Sequence, residues 1–501
     1  MKISSLMRLA LAVSLAGALG TAAAQDKPQE KSARAEQHET GKGVLRLLPA
    51  DAVTEHSIDT PRGKLSYTAT AGTLAFYDQS GDQSAAVFYT AYVRKGAGAN
   101  RPLTFVFNGG PGAASAFLHL GLVGPRILDL GPDSREAATA SLRDNPDTWL
   151  NFTDLVLIDP IGTGWSRTVK PDDAKHFWGI RSDADSFAKA ISLYVAKNNR
   201  AASPKYLFGE SYGGFRAAKV ARALQRDQGI VVSGIVMLSP MLEGWLTFGD
   251  DESALRAALQ LPSLAAAELE RKNTFSPAAL AEAEKFAMTD YLVTMAGTPP
   301  QGEAAKAFYG RVAQLSGLPA DVVSKARGFV ADAFVKGLHR DGEIVSRYDA
   351  NFAVDDPYPE LRAAHGPDPI LDGVSRAYGG AMAAYARNEL GFKTEMTYTL
   401  LSGEVTGHWD WQGGRLHAGA EDDLRTLLAF GPSFQLLIAH GYSDMVTPFG
   451  MTRYVLDHLP AAAAGRAQLK LYRGGHMLYL DADSRKAFSA DAALFYRKAE
   501  E

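Results

Sequence analysis

The sequence predicts an α/β fold: a mostly parallel central sheet with flanking helices and a large, mainly helical insertion. Apolar runs of strand length alternate with amphipathic helical runs from about residue 154 to 240, and the same alternation returns from about residue 431 to the end. Such alternation is typical of parallel sheets, in which a helix crosses back over the sheet after each strand. Helical patterns dominate the stretch between these two parts.

The N-terminus has the pattern of a secretory signal peptide. Lys2 and Arg8 precede a short apolar run over residues 9–20, and an alanine segment ends at Ala24, as before a cleavage site. Because a spanning helix needs ~20 apolar residues, cleavage is favoured over a membrane anchor. We therefore expect residues 1–24 to be removed and the mature protein to be periplasmic or secreted, with no stable membrane insertion. Residues 25–45 are charged and poor in large apolar side chains, which predicts a flexible tether.

The composition limits the possible functions. With 501 residues, 46% of them hydrophobic, the chain can bury the core of one large domain with an insertion, or of two domains. The absence of cysteine from the sequence excludes disulfides, thiolate metal sites and a cysteine nucleophile. Loss of Lys2 and Arg8 with the signal peptide changes the formal charge from −4 to −6. This mild value favours neither nucleic acid nor an anionic membrane as partner. No metal or organic cofactor is expected, and the oligomeric state is not predicted.

The first part of the core is expected over residues 46–242. Apolar and alternating runs separated by Gly, Asp and Asn predict antiparallel strands between residues 65 and 107. Strands and helices then alternate along the chain. The predicted strands cover residues 154–160, 205–211 and 234–240, and the predicted helices cover residues 182–199 and 215–227.

The insertion is expected over residues 243–430, and the second part of the core over residues 431–501. That second part contains predicted strands at 434–444 and 467–477 and predicted helices at 449–459 and 483–498. Because these elements would complete the sheet of the first part, we interpret the insertion as a cap over the active site. The alternative is a second independent domain.

The segment Gly209-Glu-Ser-Tyr-Gly213 fits the Gly-x-Ser-x-Gly pattern of a nucleophile elbow. In such an elbow the serine lies on a sharp turn between a strand and a helix, with its hydroxyl exposed. An apolar strand precedes Ser211 and an alanine-rich helix pattern follows it. The context therefore predicts Ser211 as a nucleophile, although so short a pattern also occurs by chance.

A serine nucleophile needs a histidine base and a carboxylate that orients the base. Asp444 and His476 each follow a predicted strand downstream of Ser211, and Ser, acid, His is the order found in α/β hydrolases. The only other histidine after Asp444 is His458, which falls inside a helix pattern. We therefore predict a triad of Ser211, Asp444 and His476 in an α/β-hydrolase fold, and a packing role for His440.

An oxyanion hole is predicted in the segment "NGGPG" at residues 108–112. It follows the apolar run "LTFVF" upstream of the nucleophile, where this fold supplies one of its two oxyanion amides. The backbone amides of Gly110 and Tyr212 are the predicted pair. A plain tight turn is the alternative interpretation of an Asn-Gly segment.

Several ordered motifs resemble those of the serine carboxypeptidase family of α/β hydrolases. They cover the core from about residue 85 to 240 and from 430 to 500, and the insertion carries no recognisable motif of this kind. The motifs are "NGGPGAAS" at 108–115, "NPDTW" at 145–149, "DPIGTGWS" at 159–166, "GESYGG" at 209–214, Asp444 with Thr-Pro three residues on, and "GHM" at 475–477.

The resemblance implies release of C-terminal residues from peptides that have a free C-terminus, through an acyl-enzyme on Ser211. It further implies that Asn108, Glu210 and the amide of Gly109 bind the substrate's terminal carboxylate. Glu210 would have to be protonated, because two bare carboxylates repel each other. A second glutamate that commonly pairs with this one in the family is replaced by Leu122. Either the carboxylate is then recognised otherwise, with Arg126 as one candidate, or activity moves toward neutral pH.

Two alternatives to a serine carboxypeptidase remain open at this point. An esterase or acyltransferase on the same scaffold would use the same triad, because the pocket decides which acyl donor is accepted. A binding protein with a vestigial site belongs to a different class, but the complete set Ser211, Asp444 and His476 weighs against it. The sequence does not predict the side-chain preference at the cleaved bond.

Overall fold

The structure is a computed structural model that describes residues 42–98, 100–338, 342–361, 363–463 and 465–498. The predicted signal peptide and the tether up to residue 41 lie outside the described residues. The last tether positions fall in a short 3-10 turn at Gly43–Leu47 with Leu45 buried, because an apolar side chain there packs onto the core. The described residues form one compact unit.

Nine strands form the path of the main sheet, in the order β1-β2-β3-β7-β4-β9-β10-β13-β14, and β8 pairs with β3 at its side. The pairs from β1 to β7 are antiparallel, and every pair from β7 to β14 is parallel. The predicted mostly parallel sheet is therefore confirmed. The strands are β1 Ala52–Thr60, β2 Gly63–Tyr77, β3 Gln83–Arg94, β4 Leu103–Phe107, β5 Arg126–Asp129, β6 Ser141–Asp144, β7 Asp154–Ile158, β8 Arg167–Thr168, β9 Lys205–Glu210, β10 Gly234–Leu238, β11 Glu343–Val345, β12 Ala353–Asp355, β13 Gln435–Gly441 and β14 Ala467–Tyr472.

The register of the sheet joins the two separated parts of the chain. In β10 Ile235 lies opposite Leu436 of β13, although about two hundred residues separate them along the chain. The strands β13 and β14 therefore extend the same sheet as β9 and β10, so the carboxyl ends of all four strands lie at one edge. Loops that follow parallel strands meet at this edge, where α/β sheets bind their ligands.

Helices flank the sheet and fill the insertion. Ser276 illustrates why they begin where they do: its hydroxyl accepts a hydrogen bond from the N–H of Ala279, and Pro277 occupies the first turn of its helix. The helices are α1 Ala116–Leu118, α2 Ile180–Lys197, α3 Tyr212–Ala223, α4 Gly244–Thr247, α5 Ala254–Arg271, α6 Pro277–Phe286, α7 Leu292–Ala296, α8 Gly302–Ser316, α9 Ala320–Lys325, α10 Ala331–Gly337, α11 Ala377–Asn388, α12 Gly403–Gly407, α13 Glu421–Phe430, α14 Phe449–Asp457 and α15 Ala482–Lys498.

The main core lies on both faces of the sheet. Successive residues of a strand point to opposite faces, and in β9 Leu207 belongs to the apolar cluster that includes Phe187 and Phe215 of α2 and α3. Its neighbour Phe208 belongs to the cluster on the other face, with Tyr496 of α15. Burial on both faces explains why these strands are continuous apolar runs in the sequence.

The insertion has a core of its own, built mainly from helices α5 to α10 and the two-stranded sheet β11–β12. Three features were not predicted: strand β1 at the edge of the main sheet, the small β5–β6 sheet and the β11–β12 hairpin. Strand β1 alternates half-buried and exposed residues, so its sequence carries a weak apolar signal. Within the described residues, no helix is both long and apolar enough to cross a membrane.

Candidate active site

Ser211 lies on the turn that joins β9 to α3. Its backbone has φ 60° and ψ −126°, a conformation that is strained for any residue with a side chain. Hydrogen bonds hold the turn: the N–H of Ser211 donates to the carbonyl of Leu238, and the N–H of Gly214 donates to the carbonyl of Ser211, each at 2.9 Å. This is the geometry of a nucleophile elbow.

The glycines on either side of Ser211 are required by close backbone approach. A Cβ atom on Gly209 would lie 1.9 Å from the carbonyl oxygen of Gly213, and one on Gly213 would lie 2.7 Å from the carbonyl oxygen of Phe107. A side chain at Gly209 would push the end of β9 away from the first turn of α3, and one at Gly213 would push α3 away from β4. The spacing of glycines in the motif is therefore a packing requirement of the turn.

His476 and Asp444 lie together on the loops after β14 and β13. The imidazole Nδ1 of His476 is 2.9 Å from Oδ2 of Asp444, and because an ionised carboxylate can only accept, Nδ1 carries the proton and donates. The N–H groups of Val446 and Thr447 donate to Oδ1 of Asp444 at 2.8 and 3.0 Å, and the Thr447 hydroxyl donates to Oδ2 at 2.8 Å. This leaves Nε2 of His476 as the proton acceptor.

The pKa values fit this pairing. Burial is the largest influence on the pKa of His476 and lowers it, but the charge and hydrogen bond of Asp444, with the charge of Glu210, raise that pKa above its usual value overall. Burial likewise raises the pKa of Asp444, and the charge of His476 with the hydrogen bonds from His476 and Thr447 brings it below its usual value. Asp444 is therefore ionised near neutral pH and stabilises a protonated His476.

Glu210 precedes the elbow serine and is buried. The side-chain amide Nδ2 of Asn108 donates to its Oε2 at 2.6 Å, and the Tyr479 hydroxyl lies 3.2 Å from both carboxylate oxygens. Burial raises the pKa of Glu210 to about 7, although the charge of His476 and the hydrogen bonds from Tyr479 and Asn108 act in the opposite direction. Glu210 thus gains its proton close to neutrality mainly because it is buried, and the charge of Asp444 acts in the same direction.

The loop at residues 108–112 packs directly against the elbow. A Cβ atom on Gly109 would lie 2.6 Å from the backbone nitrogen of Tyr212, so only glycine allows this approach. Arg216 of α3 donates to the carbonyl of Asn108 and forms a buried ion pair with Asp183 of α2, with Nε 2.6 Å from Oδ2. The predicted oxyanion residues, Gly110 and Tyr212, are therefore held on adjoining segments.

The predicted site residues meet around one cavity of about 140 Å³. Only Asp444 lies behind its wall, where it supports His476. Among the described residues, no group of three or more carboxylate or imidazole side chains is arranged to hold a metal ion. The lining consists of Asn108, Gly109, Gly110, Ala113, Phe117, Glu210, Ser211, Tyr212, Met241, Thr247, Phe248, Tyr348, Leu371, Leu401, Val446, Thr447, His476 and Met477.

The insertion contributes part of this lining. Phe248, Tyr348, Leu371 and Leu401 all come from residues 243–430 and face the same cavity as Ser211. A cap that covers the site is consistent with this position, but the domain boundaries stay a prediction.

Three other predicted positions lie outside the cavity lining. Arg126 pairs with Asp144 and Glu389, with nitrogen to oxygen distances of 2.6 and 3.1 Å. Its charge is therefore already compensated on the surface. Leu122 is buried in the apolar cluster. His440 lies behind Asp444, 3.9 Å from Oδ2, and burial lowers its pKa to about 4, so it is neutral at physiological pH.

Tyr479 and the insertion residues were not predicted from the sequence. Tyr479 takes a place beside Glu210, and its ring packs where Gly121 leaves room, since a Cβ atom on Gly121 would lie 2.6 Å from that ring. The available signal was its position three residues after His476 in "GGHMLY". No local sequence pattern marks Tyr348, Leu371 or Leu401 as functional. They line the cavity only because the insertion packs against the core.

A mostly parallel sheet with a serine on the elbow and an acid and a histidine on two later strand ends defines an α/β-hydrolase fold. Among solved structures, the chain resembles a prohormone-processing carboxypeptidase from Saccharomyces cerevisiae, Kex1(delta)p, with a TM-score of 0.53 over 86% of this chain and 91% of that one. The sequence identity is 13%, so this likeness concerns the fold alone.

The serine carboxypeptidase family model matches residues 63–242, which include the elbow and the loop at residues 108–112. The resemblance to this family is therefore confirmed for that part of the chain. Carboxypeptidase sxa2 of Schizosaccharomyces pombe is 30% identical over 134 residues, 26% of this chain and 24% of that protein. The retinoid-inducible serine carboxypeptidase of Rattus norvegicus is 32% identical over 128 residues, 25% of each chain. The match thus spans about a quarter of the length of these curated relatives.

Proposed function

We propose that this protein is a serine carboxypeptidase that releases C-terminal residues from peptides through an acyl-enzyme on Ser211. One observation carries the proposal: a strained elbow serine and a histidine oriented by Asp444 share a small cavity with the buried pair Glu210 and Asn108. The first two groups suit acyl transfer. The buried pair suits recognition of a free carboxylate beside the reacting carbonyl.

In the proposed reaction, Nε2 of His476 takes the hydroxyl proton of Ser211 while Oγ attacks the scissile carbonyl. The backbone amides of Gly110 and Tyr212 stabilise the negative oxygen of the tetrahedral intermediate. His476 then gives its proton to the leaving amine, which departs as the released C-terminal residue. Water, activated by the same imidazole, hydrolyses the ester on Ser211 and restores the enzyme. Asp444 stabilises His476 while it is positively charged.

The terminal carboxylate of the substrate would be bound by Glu210 and Asn108, with the amide of Gly109 assisting. Protonated Glu210 can donate one hydrogen bond to that carboxylate, whereas ionised Glu210 repels it. Because burial raises the pKa of Glu210 to about 7, binding is expected at acidic to neutral pH and is expected to weaken above it. The replacement of a paired glutamate by Leu122 is compatible with this expectation.

The decisive experiment compares blocked dipeptides that carry either a free or an amidated C-terminus, across pH 4 to 8. Cleavage of the free acid that is lost on amidation would support an exopeptidase that reads the carboxylate. Hydrolysis of simple esters without peptide cleavage would reject the carboxypeptidase and favour the esterase alternative. Absence of all turnover and of labelling by a fluorophosphonate would favour a vestigial site.

The Ser211→Ala variant is the control for the nucleophile. It should abolish both turnover and fluorophosphonate labelling, while labelling that persists would show that another serine reacts. Ser239 is a matched comparison: it too has a positive φ at the end of a parallel strand, but its hydroxyl is buried and donates to the carbonyl of His476. The Ser239→Ala variant should therefore still be labelled by the fluorophosphonate at Ser211.

Export belongs to the same proposal and rests on the N-terminal sequence pattern. If it is right, the protein recovered from the periplasm or medium of an expressing bacterium should begin at Gln25, as N-terminal sequencing can establish. Recovery of the intact N-terminus in the cytoplasm would contradict it.

A further inference from the structure

The hairpin tip, residues 346–352 between β11 and β12, reaches from the insertion to both loops of the catalytic pair. The loop after β13, residues 442–448, carries Asp444, and the loop after β14, residues 473–477, carries His476. The tip contacts each of them through its backbone and through one carboxylate.

The first set of contacts fixes the base. The backbone N–H of His476 donates to the carbonyl of Tyr348 at 2.6 Å, and the ring of Tyr348 packs edge-on against the imidazole with centroids 5.1 Å apart. A Cβ atom on Gly475 would lie 1.9 Å from the carbonyl oxygen of Tyr348. The glycine before the catalytic histidine is therefore required by the approach of the insertion.

The second set of contacts fixes the acid. The N–H of Met445 donates to the carbonyl of Arg347 at 3.1 Å, and the N–H of Ala350 donates to the carbonyl of Ser443 at 2.9 Å. These bonds hold the residues on both sides of Asp444. The tip thus runs alongside the acid loop as an additional short strand would.

Asp349 joins the two loops through its side chain. Its Oδ1 accepts hydrogen bonds from the hydroxyl of Ser443 at 2.7 Å and from the N–H of Asn351 at 2.9 Å. Its Cα and Cβ pack against Gly475, where an added Cβ atom would lie 2.6 and 2.7 Å from them, and the N–H of Gly475 acts to lower the pKa of the buried carboxyl group. Asp349 therefore bonds to the neighbour of the catalytic acid and packs against the neighbour of the catalytic base. A carboxylate that accepts several hydrogen bonds is a strong and directional link.

The tip is itself held rigidly. Asp368 accepts from the hydroxyl of Ser346 at 2.7 Å and from the N–H of Arg347 at 2.8 Å, and the N–H of Tyr348 donates to the Ser346 hydroxyl at 3.0 Å. A link can position catalytic groups only if its own conformation is fixed.

We infer that Asp349 is a positioning residue that couples the insertion to the catalytic pair, holding the Asp444 loop and the His476 loop at the separation that the hydrogen bond between Asp444 and His476 needs. The inference rests on the proposed function insofar as it assumes that this pair activates Ser211. It gives the insertion a part in the chemical step in addition to lining the cavity. A positional error of about 1 Å can cost up to about 100-fold in rate, so a link of this kind can have a large effect.

The test compares Asp349→Ala and Asp349→Asn with Asp355→Ala, which removes an exposed carboxylate from β12 of the same hairpin. For Asp349→Ala we expect kcat to fall by about 10- to 100-fold with KM nearly unchanged. For Asp349→Asn the loss should be smaller, because the side-chain carbonyl of asparagine can still accept from Ser443. Asp355→Ala should behave as the wild type, and thermal unfolding of each variant establishes that it is folded.

Two further readouts separate positioning from a general loss of structure. The acid limb of the pH profile for an uncharged ester should move to lower pH in Asp349→Ala. In this variant the contact between His476 and Asp444 is looser, so Asp444 raises the pKa of His476 less than it does in the wild type. The low-field proton resonance of Nδ1 of His476 should broaden or shift. A folded Asp349→Ala protein with kcat within twofold of the wild type and an unchanged resonance would overturn the inference.

Failure of the inference can be told apart from failure of the proposed function. Fluorophosphonate labelling of Ser211 needs the catalytic pair but no peptide, and the Nδ1 resonance needs no turnover. If the wild type cleaves no peptide while Asp349→Ala still loses labelling rate and the resonance, the carboxypeptidase proposal fails and the positioning role stands. If peptides are cleaved equally well by both proteins, the positioning role fails alone.

Discussion

The two sides of the catalytic cavity differ in origin. Ser211, His476 and the loop at residues 108–112 come from strand ends of the main sheet, within short motifs. Phe248, Tyr348 and Leu401 come from the insertion, where no motif is recognisable. The predicted catalytic groups are specified by local turns, whereas the cavity wall and the spacing of the loops depend on contacts between distant segments.

The largest expected effect concerns the core side. In Asp444→Asn the side chain can donate to Nδ1 of His476, which favours the wrong tautomer and leaves Nε2 protonated. Turnover should fall by about 10⁴-fold with little change in KM, as for the equivalent change in a serine protease triad. Steady-state kinetics on an ester substrate measures this directly. A fall of less than tenfold would show that Asp444 is not the residue that orients His476. His440, the other titratable group near Asp444, could not replace it, because it is not ionised near neutral pH.

The Glu210→Gln variant separates carboxylate recognition from acyl transfer. With a pKa of about 7, Glu210 in the wild type loses its proton as the pH rises, so kcat/KM on free-acid peptides should fall about fivefold between pH 7 and 8. The glutamine introduced by this substitution cannot ionise and its amide still donates, so the variant should show no such fall. Amidated or ester substrates should show no such alkaline fall with either protein. A wild-type profile that is flat up to pH 9 on free acids would contradict the assignment.

The same variant should change stability with a definite sign. The pKa of Glu210 is raised in the folded state, so its contribution to stability is fully present below the unfolded pKa near 4.5 and is lost as the pH rises through about 7. The loss at pH 8 is on the order of 3 kcal/mol. The free energy of unfolding of Glu210→Gln, measured relative to the wild type by denaturant unfolding, should therefore increase by about this amount between pH 4.5 and 8. A constant difference across this range would show that Glu210 ionises at its ordinary pKa.

The sequence predicted the core well because its signals are local. Strands β9 and β10 are continuous apolar runs, and the elbow is a five-residue pattern whose glycines are fixed by contacts of 1.9 and 2.7 Å that any Cβ would make. Asp444 and His476 could be found because each follows a strand in the expected order. The geometry of this part can therefore be predicted from residues that are close together in the sequence.

Other parts of the site could not be predicted, because their contacts join residues that are far apart in the sequence. Asp349 lies in a hairpin tip whose contacts, with Ser443 and Gly475, are about a hundred residues away in sequence. Tyr479 was missed because a tyrosine three residues after a histidine has no meaning until Gly121 is seen to make room for its ring. Leu122 was predicted to leave Glu210 without support, and neither the burial of Glu210 nor Tyr479 could be inferred from that position.

Tyr479→Phe tests how much of the recognition depends on this unpredicted partner. The hydroxyl hydrogen bond favours the ionised form of Glu210 and so lowers its pKa. Its removal should raise that pKa and move the alkaline limb for free-acid peptides up by as much as about one pH unit, worth ~1.4 kcal/mol. Tyr385→Phe is the control, since that buried hydroxyl bonds to Tyr92 instead. A limb that stays in place or moves to lower pH would show that Tyr479 does not act on Glu210.

The smallest effect concerns the contact between the insertion and the oxyanion loop. The hydroxyl of Thr406 donates to the carbonyl of Pro111 at 2.6 Å, next to the proposed oxyanion residue Gly110. Thr406→Val keeps the shape and removes the bond, which is worth about 1 kcal/mol of stability, so kcat should fall by no more than about fivefold. Thr426→Val is the matched control, because its hydroxyl bonds only within α13. If the two variants had equal kcat values, the contact at Thr406 would not affect the rate, and the hairpin tip would be the part of the insertion that does.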